Sequence, residues 1–437
     1  MNAKLLTALI AGCFILSTQA WAATLIVPEK YPTIQEAINS AVNGDTVMVK
    51  QGIYHGAGNR DISFEGKMIT VKSEQGPERT IIDCASNNLN EPHSGFIFNK
   101  GESAKTVLDG FTILHGQALA EHDYNGGAIY VSQSSPTIRR CVFLLNKAKG
   151  QGGAVALYES DAQIEDCIFR QNEANQGGGL AVVNSSDPLF SNLQITQNTA
   201  NGKGAGIYLE NNDNATFDKT VVSENNAQIK GGGVAILGGA LKMSNSILRQ
   251  NWAKEGAGIH SEEAAVFLTN VVANKNIAYN NAAMVFEGNS SNTVRLVNTT
   301  IADNFGQNGG AIFYGQNLRT LSIENSILWN NFPFGIEDNA ELLRIRYSNI
   351  EEGWAGEGNI TENPLFTDSN HNDFSLQNFS PAIDAADGNK APYLDAAELP
   401  RYDDQSVNNT GSGSLTYADM GAYERQEDSR QVESEHK

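Results

Sequence analysis

Cysteine is scarce in this 437-residue chain: four in all, of which Cys84, Cys141 and Cys167 lie beyond the first 22 residues. An odd number without Cys-x-x-Cys spacing argues against a disulfide framework and against a zinc knuckle. Basic residues are also short. Thirty Lys and Arg stand against fifty Asp and Glu, a formal charge of −20. Such a surface repels nucleic acid and anionic polymers unless cations intervene. Long apolar runs are missing too: beyond the N-terminus no segment stays apolar for the roughly 20 residues that a membrane-crossing helix needs.

The N-terminus itself reads as an export leader. Lys4 precedes an apolar run from Leu5 to Leu16, and Ala20-Trp21-Ala22 supplies a small-residue cleavage site after Ala22. Cys13 offers a lipidation alternative, against which Phe14-Ile15-Leu16 prolongs the apolar run past that cysteine. The expectation is a secreted chain that is periplasmic, extracellular or surface-associated.

What the chain has in quantity is a repeat. Gly126-Gly127-Ala128-Ile129 returns as Gly152-Gly153-Ala154-Val155, Gly177-Gly178-Gly179-Leu180 and Gly204-Ala205-Gly206-Ile207. It continues through Gly231, Gly256, a degenerate copy at Asn281 and a full one at Gly309, with spacings of 26, 25, 27, 27, 25, 25 and 28. Asparagine keeps the same beat at Asn146, Asn172, Asn198, Asn225, Asn251, Asn276, Asn304 and Asn331. An apolar residue stands three before each, from Phe143 to Leu328, and Ala, Gly or Pro two after. Apolar residues alternate within the repeat (Ile129 and Val131, Val155 and Leu157), a period of two that belongs to strands and not helices. Short strands joined by tight turns must then stack coil upon coil, each about 4.8 Å from the next, and crossover chirality favours the right hand.

The predicted fold is therefore all-β: a right-handed parallel β-helix with a short N-terminal capping helix and an irregular C-terminal cap. Asparagines at equivalent positions should stack, their amides bonding along the column and to turn backbone. A second column, Asn192, Asn245, Asn270, Asn298 and Asn325, is expected to behave alike. The cap helix is signalled by Thr33-Ile34-Gln35-Glu36, a capping box, with an apolar face of Ile34, Ala37, Ile38, Ala41 and Val42 and a stop at Gly44. Cys141 and Cys167 should stack on adjacent coils as thiols, with a disulfide as the alternative. The expected divisions are leader 1–22, cap and irregular coils 23–122, regular coils 123–343, closing region 344–424 and a disordered tail 425–437.

Three resemblances rest on quoted residues. Phe143-Leu144-Leu145-Asn146 followed by Gly-Gly-Ala-Val resembles the repeats of chlamydial polymorphic outer-membrane proteins. Tyr31-Pro32-Thr33-Ile34-Gln35-Glu36-Ala37-Ile38 through Gly52-Ile53-Tyr54 resembles the opening of pectin-lyase-like proteins. Asn363-Pro364-Leu365-Phe366, Ser380-Pro381-Ala382-Ile383-Asp384 and Asp419-Met420-Gly421-Ala422-Tyr423-Glu424 are similar to the closing region of secreted bacterial β-helix proteins. The resemblance implies architecture and export more than chemistry. The aspartate and arginine segments of pectin methylesterases, the Asn-Thr-Asp and Gly-His-Gly of polygalacturonases and the Arg-x-Pro-x-x-Arg of pectate lyases are absent.

Candidate sites follow from the strand pattern. The residue after each Gly-Gly-Ala-Ile should point outward, giving Tyr130, Tyr208, His260 and Phe313, with Tyr158 and Glu210 two places further on. Aromatic faces beside carboxylates suit sugar rings, although plain strand decoration reads the same way. Glu262 and Glu287, one coil apart, approach the carboxyl spacing of a retaining glycosidase, with His260 as an assisting acid or base. Asp368, Asn370, Asn372 and Asp373 alternate oxygen ligands as a calcium loop would, or form an Asx-rich turn without an ion. The expected activity is carbohydrate binding by a monomer, the partner being a polysaccharide or cell-surface glycan and not nucleic acid. A polysaccharide lyase or hydrolase and a protein-recognising adhesin are the alternatives.

Overall fold

A computed structural model describes residues 22–85, 91–289, 291–307, 309–315, 318–333, 335–336 and 343–426. The expected leader up to residue 21 and the tail beyond 426 lie outside these. The chain is a right-handed parallel β-solenoid of about 12 turns. Its strands pair in register from Thr24–Val27 on Thr46–Val49 to Thr320–Glu324 on Leu343–Arg346.

Each regular coil closes because extended chain is bent at single left-handed residues. Three such corners lie in columns: Gln133, Glu159, Asn184 and Asn211 (φ 49 to 53°), Arg140 to Asn325, and Leu145 to Asn330. A fourth is the first glycine of each Gly-Gly-Ala, from Gly126 (φ 71°) to Gly256 (φ 57°). Asparagine tolerates this conformation better than most residues. That explains Asn192, Asn245, Asn270, Asn298 and Asn325, whose φ values of 48 to 55° make them corner residues first. Their amides bond between coils only in places, as from Asn270 to Asn245 at 2.9 Å.

The other asparagine column is a continuous ladder. Nδ2 of Asn172 donates to Oδ1 of Asn198 at 2.9 Å, Asn198 to Asn225 at 3.0 Å, and Asn225 to Asn251 at 3.0 Å. The same Oδ1 accepts the backbone N–H of the asparagine below, and the second Nδ2 proton goes to a carbonyl such as Phe143 O, 3.0 Å from Asn172. Every described rung is buried. These amides satisfy turn backbone that no water reaches, and none of their hydrogen-bonding capacity faces a ligand.

Inside the coils, like residues stack: Phe143 on Phe169 with ring centres 4.8 Å apart, and Phe190 on Phe217 at 4.4 Å. Burying each such ring contributes about 1.5–3 kcal/mol. Cys141 and Cys167 lie in the same file as free, buried thiols, the Cys141 N–H directed at Cys167 Sγ over 3.4 Å. Burial pushes the Cys167 thiol well up, so it is unreactive.

The N-terminal helix spans Ile34–Ser40, capped by the Thr33 hydroxyl, which accepts the Glu36 N–H at 3.2 Å. Ile34, Ala37 and Ile38 seal the first coil. Val42 does not join them: Ala41 is already extended (φ −73°, ψ 150°), and Val42 is 61% exposed. At the other end, Leu343–Arg346 and Asn349–Ile350 extend the solenoid, after which an antiparallel hairpin, Phe366–Asp368 with Asp373–Leu376, begins a strap against the wall of the coils. Phe374 and Ala422 pack on Val272 and Ala302, while Asn298 Nδ2 donates to the carbonyls of Asp419 and Gly421.

The closing motifs meet inside this strap. Asp419 Oδ1 accepts the Asp384 N–H at 2.8 Å, and Glu424 accepts from Asp419 N–H and from the buried Arg401 at 2.6 Å. Arg425, expected at the head of a disordered tail, pairs with Asp404 at 2.6 Å. Asp384 is fully buried and neither carboxyl oxygen has a hydrogen-bond partner. Burial, aided by Asp403, Glu424 and Asp404, raises its pKa to about 7.

Two outcomes are expected. Asn225→Ala strips the acceptor from two buried donors of Asn198, and should cost about 2–4 kcal/mol in denaturant unfolding. The exposed Asn201→Ala should stay within about 0.5 kcal/mol. For Asp384 the folded state holds a proton that the unfolded chain releases above its pKa near 3.8. Stability on its account is therefore greatest below that value, falls as pH rises and is fully lost above about 7. Asp384→Asn should raise stability at pH 8 by up to about 4 kcal/mol and leave it nearly unchanged at pH 4, as read by thermal unfolding at the two pH values.

Candidate functional site

The strand after each Gly-Gly-Ala carries the predicted outward column, and pairing confirms its file: Tyr130, Ala156, Ala181, Tyr208, Ala235, His260, Val285, Phe313. The column is not an open face. Tyr208 and His260 are each only 2% exposed, and Tyr130 and Phe313 are half-buried. The cause is the left-handed glycine. A Cβ on Gly204 would lie 2.3 Å from Ile207 O and 3.0 Å from Tyr208 Cα, so the turn folds the preceding residues over the strand. Gln151, Gln176, Lys203, Lys230 and Glu255 consequently line one side of the column, and Tyr158, Val183, Glu210, Leu237, Glu262 and Glu287 the other. Tyr208 finds room because Ala181 and Ala235 flank it above and below.

The result is a half-buried polar strip along the solenoid axis. At one end His122 stacks on Tyr130 (4.3 Å, 13°), and Tyr130 approaches Tyr158 at 5.8 Å. The Tyr158 hydroxyl donates to Gln151 Oε1 at 2.5 Å, Gln151 donates to Gln176 at 2.8 Å, and the Tyr208 hydroxyl donates to Glu210 at 3.0 Å. At the other end charges gather. Glu262 takes Lys203 on one oxygen at 3.1 Å and Lys230 on the other at 2.6 Å. Lys230 also lies 3.5 Å from Glu255 and 3.8 Å from Glu287.

This arrangement sets the protonation states. Burial opposes the charge on Glu262, but its hydrogen bonds to Lys230 and Lys203 outweigh burial and hold the carboxyl at about 2. Burial likewise opposes the Lys230 ammonium, and contact with Glu262 and its neighbours raises its pKa nonetheless. Glu262 and Glu287 do pair in register, their nearest oxygens within 4.8 Å of each other. Glu262 is held as an anion. Lys230 is a fixed cation and not a base. His260 is enclosed beneath the strip.

The Asp368–Asp373 loop holds a 3-10 turn, Ser369–His371, whose oxygens serve separate partners. Asp368 accepts from His371 at 2.7 Å, Asp373 from Ser375 at 2.6 Å, and Asn372 from Asn274 at 2.8 Å. The Lys275 ammonium bonds Asn370 O at 2.8 Å and Asn372 Oδ1 at 3.0 Å, docking the turn on the coils. Such bonding is that of an Asx-rich turn.

A surface that sequence reasoning missed lies just past the asparagine ladder. Trp252, Ile277, Phe305 and Phe332 occupy successive coils, the last three 45, 42 and 64% exposed, with the Phe305 and Phe332 rings stacked at 5.8 Å. The signal was present one residue after each of the last four ladder asparagines, Asn251, Asn276, Asn304 and Asn331.

The family profile described as right-handed β-helix region matches residues 42–200, 94–270 and 191–350. Among solved structures, pectate lyase Pel9A is similar at 14% identity over 93% of this chain and 97% of that one, with a TM-score of 0.48. The polygalacturonase from Erwinia carotovora ssp. carotovora is 12% identical over 74% and 94% of the two chains, TM-score 0.37. PfbA, a surface adhesin of Streptococcus pneumoniae, is 12% identical over 69% and 89%, TM-score 0.30. No curated protein sequence matches.

Proposed function

The chain belongs to the right-handed β-helix family, and on that premise we propose that it is an exported protein binding a polysaccharide along the strip from His122 to Glu287. The observation that carries this reading is the run of adjoining rings, His122 stacked on Tyr130 and Tyr158 tilted beside it, leading directly into the amides of Gln151 and Gln176 and the carboxylate of Glu210. Sugar rings lay apolar faces on aromatics and exchange hydrogen bonds with amides and carboxylates at their edges. A file of such groups, one per coil, fits an extended chain of repeating units. The formal charge of −20 favours a neutral polymer over a uronate. The apolar leader and the likeness of the repeat to chlamydial surface proteins support export. A second reading, an adhesin for protein, is favoured by the exposed Phe305 and Phe332 rings.

Retention on a panel of immobilised polysaccharides distinguishes the two. A neutral glycan should retain the protein, and Tyr130→Ala and Tyr158→Ala should each weaken retention about three- to tenfold, with Phe332→Ser unchanged. Loss on Phe332→Ser alone would move the ligand to the aromatic ladder. Retention by no polysaccharide, together with capture on host-protein coats, would favour the adhesin.

A further inference from the structure

We propose that His260, Glu255, Glu262 and Glu287 form a site for one transition-metal dication of the zinc class, which the Lys230 ammonium occupies in competition with the ion. The site begins with an unexplained atom. His260 is 2% exposed, and its Nε2 is buried without a hydrogen bond. An orphaned buried polar atom is costly and rare. This one is aimed at three carboxylates: Glu255 at 3.5 Å, Glu262 at 3.8 Å and Glu287 at 4.0 Å. His260, Glu262 and Glu287 sit on neighbouring strands whose register is fixed, with Ala235 beside His260 on one flank and Val285 on the other.

The spacing fits a small tetrahedral ion. Ligands about 2.0–2.1 Å from a zinc ion stand about 3.4 Å from one another. The three distances from Nε2 exceed that by up to about 0.6 Å and the ligand atoms of His260, Glu262 and Glu287 all lie within 4.8 Å of one another, a gap that glutamate side chains a quarter to two-fifths exposed can close by turning inward. One imidazole nitrogen with carboxylate oxygens selects the zinc class, whereas calcium and magnesium take oxygen ligands. The same carboxylates already attract a cation, for Lys230 Nζ lies 2.6, 3.5 and 3.8 Å from Glu262, Glu255 and Glu287. Its side chain is 22% exposed and has solvent to turn into. A dication gains the imidazole that the ammonium leaves unpaired. Glu262 would keep Lys203 on its other oxygen, which orients it for the ion as an outer partner does in metal sites.

Calorimetric titration of the chelator-stripped protein with zinc chloride, in the absence of any polysaccharide, tests this apart from the carbohydrate reading. One zinc should bind per chain, and calcium chloride should give no binding at this site. Lys230→Met should bind zinc about tenfold or more tightly than the parent. His260→Asn and Glu287→Gln should each weaken it about tenfold or more, with unchanged circular dichroism. Glu287 is 43% exposed, so its variant folds even where the His260 variant does not. Failure of Lys230→Met to bind zinc, or equal affinity in the parent and Glu287→Gln, would overturn the proposal.

Discussion

The stacked amides of Asn146 through Asn331 hold a place where the chain turns sharply inside a water-free wall. Each interior rung accepts two protons from the rung below, gives two to the rung above through its backbone N–H and Nδ2, and gives one more to a carbonyl, so no polar group at the corner is left alone. Slipping one coil by a residue would break this for two coils at once and send Phe143 or Phe169 outward. Register is therefore specified at every circuit, and the four left-handed corners keep each circuit nearly the same shape. Everything else in the molecule, from the phenylalanine stacks to the outer strip, takes its order from that agreement.

Register has a chemical consequence on the outside. Groups one coil apart stand side by side without any loop to position them, as Glu262 and Glu287 do. Unlike charges interleave from Lys203 to Glu255, so the strip is held by its own ion pairs and is partly dehydrated. Small residues in the column beneath, Ala156, Ala181 and Ala235, make room for the large ones, Tyr208 and His260. In this outer column the two most deeply buried rings each stand beside an alanine. The pattern of alanines thus decides where functional groups can be sunk into the surface.

Much of this was readable from residue spacing alone. The coil period, the asparagine file, the stacked thiols Cys141 and Cys167 and the Thr33 cap all follow from local rules that the tertiary structure reinforces. Period-two reasoning misjudged the outer column because alternation says which way a side chain points and not what is folded over it. The glycine turn brings Lys203 and Lys230 across Tyr208 and His260, and only three-dimensional geometry reveals that. The Asn192 to Asn325 column was read as a ladder because asparagine suits two roles, and a left-handed corner is invisible in composition. Val42 failed for want of half a helical turn.

Residue-resolved hydrogen exchange of the backbone amides of Asn172, Asn198, Asn225 and Asn251 tests the central interaction most directly. If the amide file organises the fold, these N–H groups exchange only when whole coils open, as one slow block with similar protection. Rapid exchange at widely differing rates from one coil to the next would contradict the account.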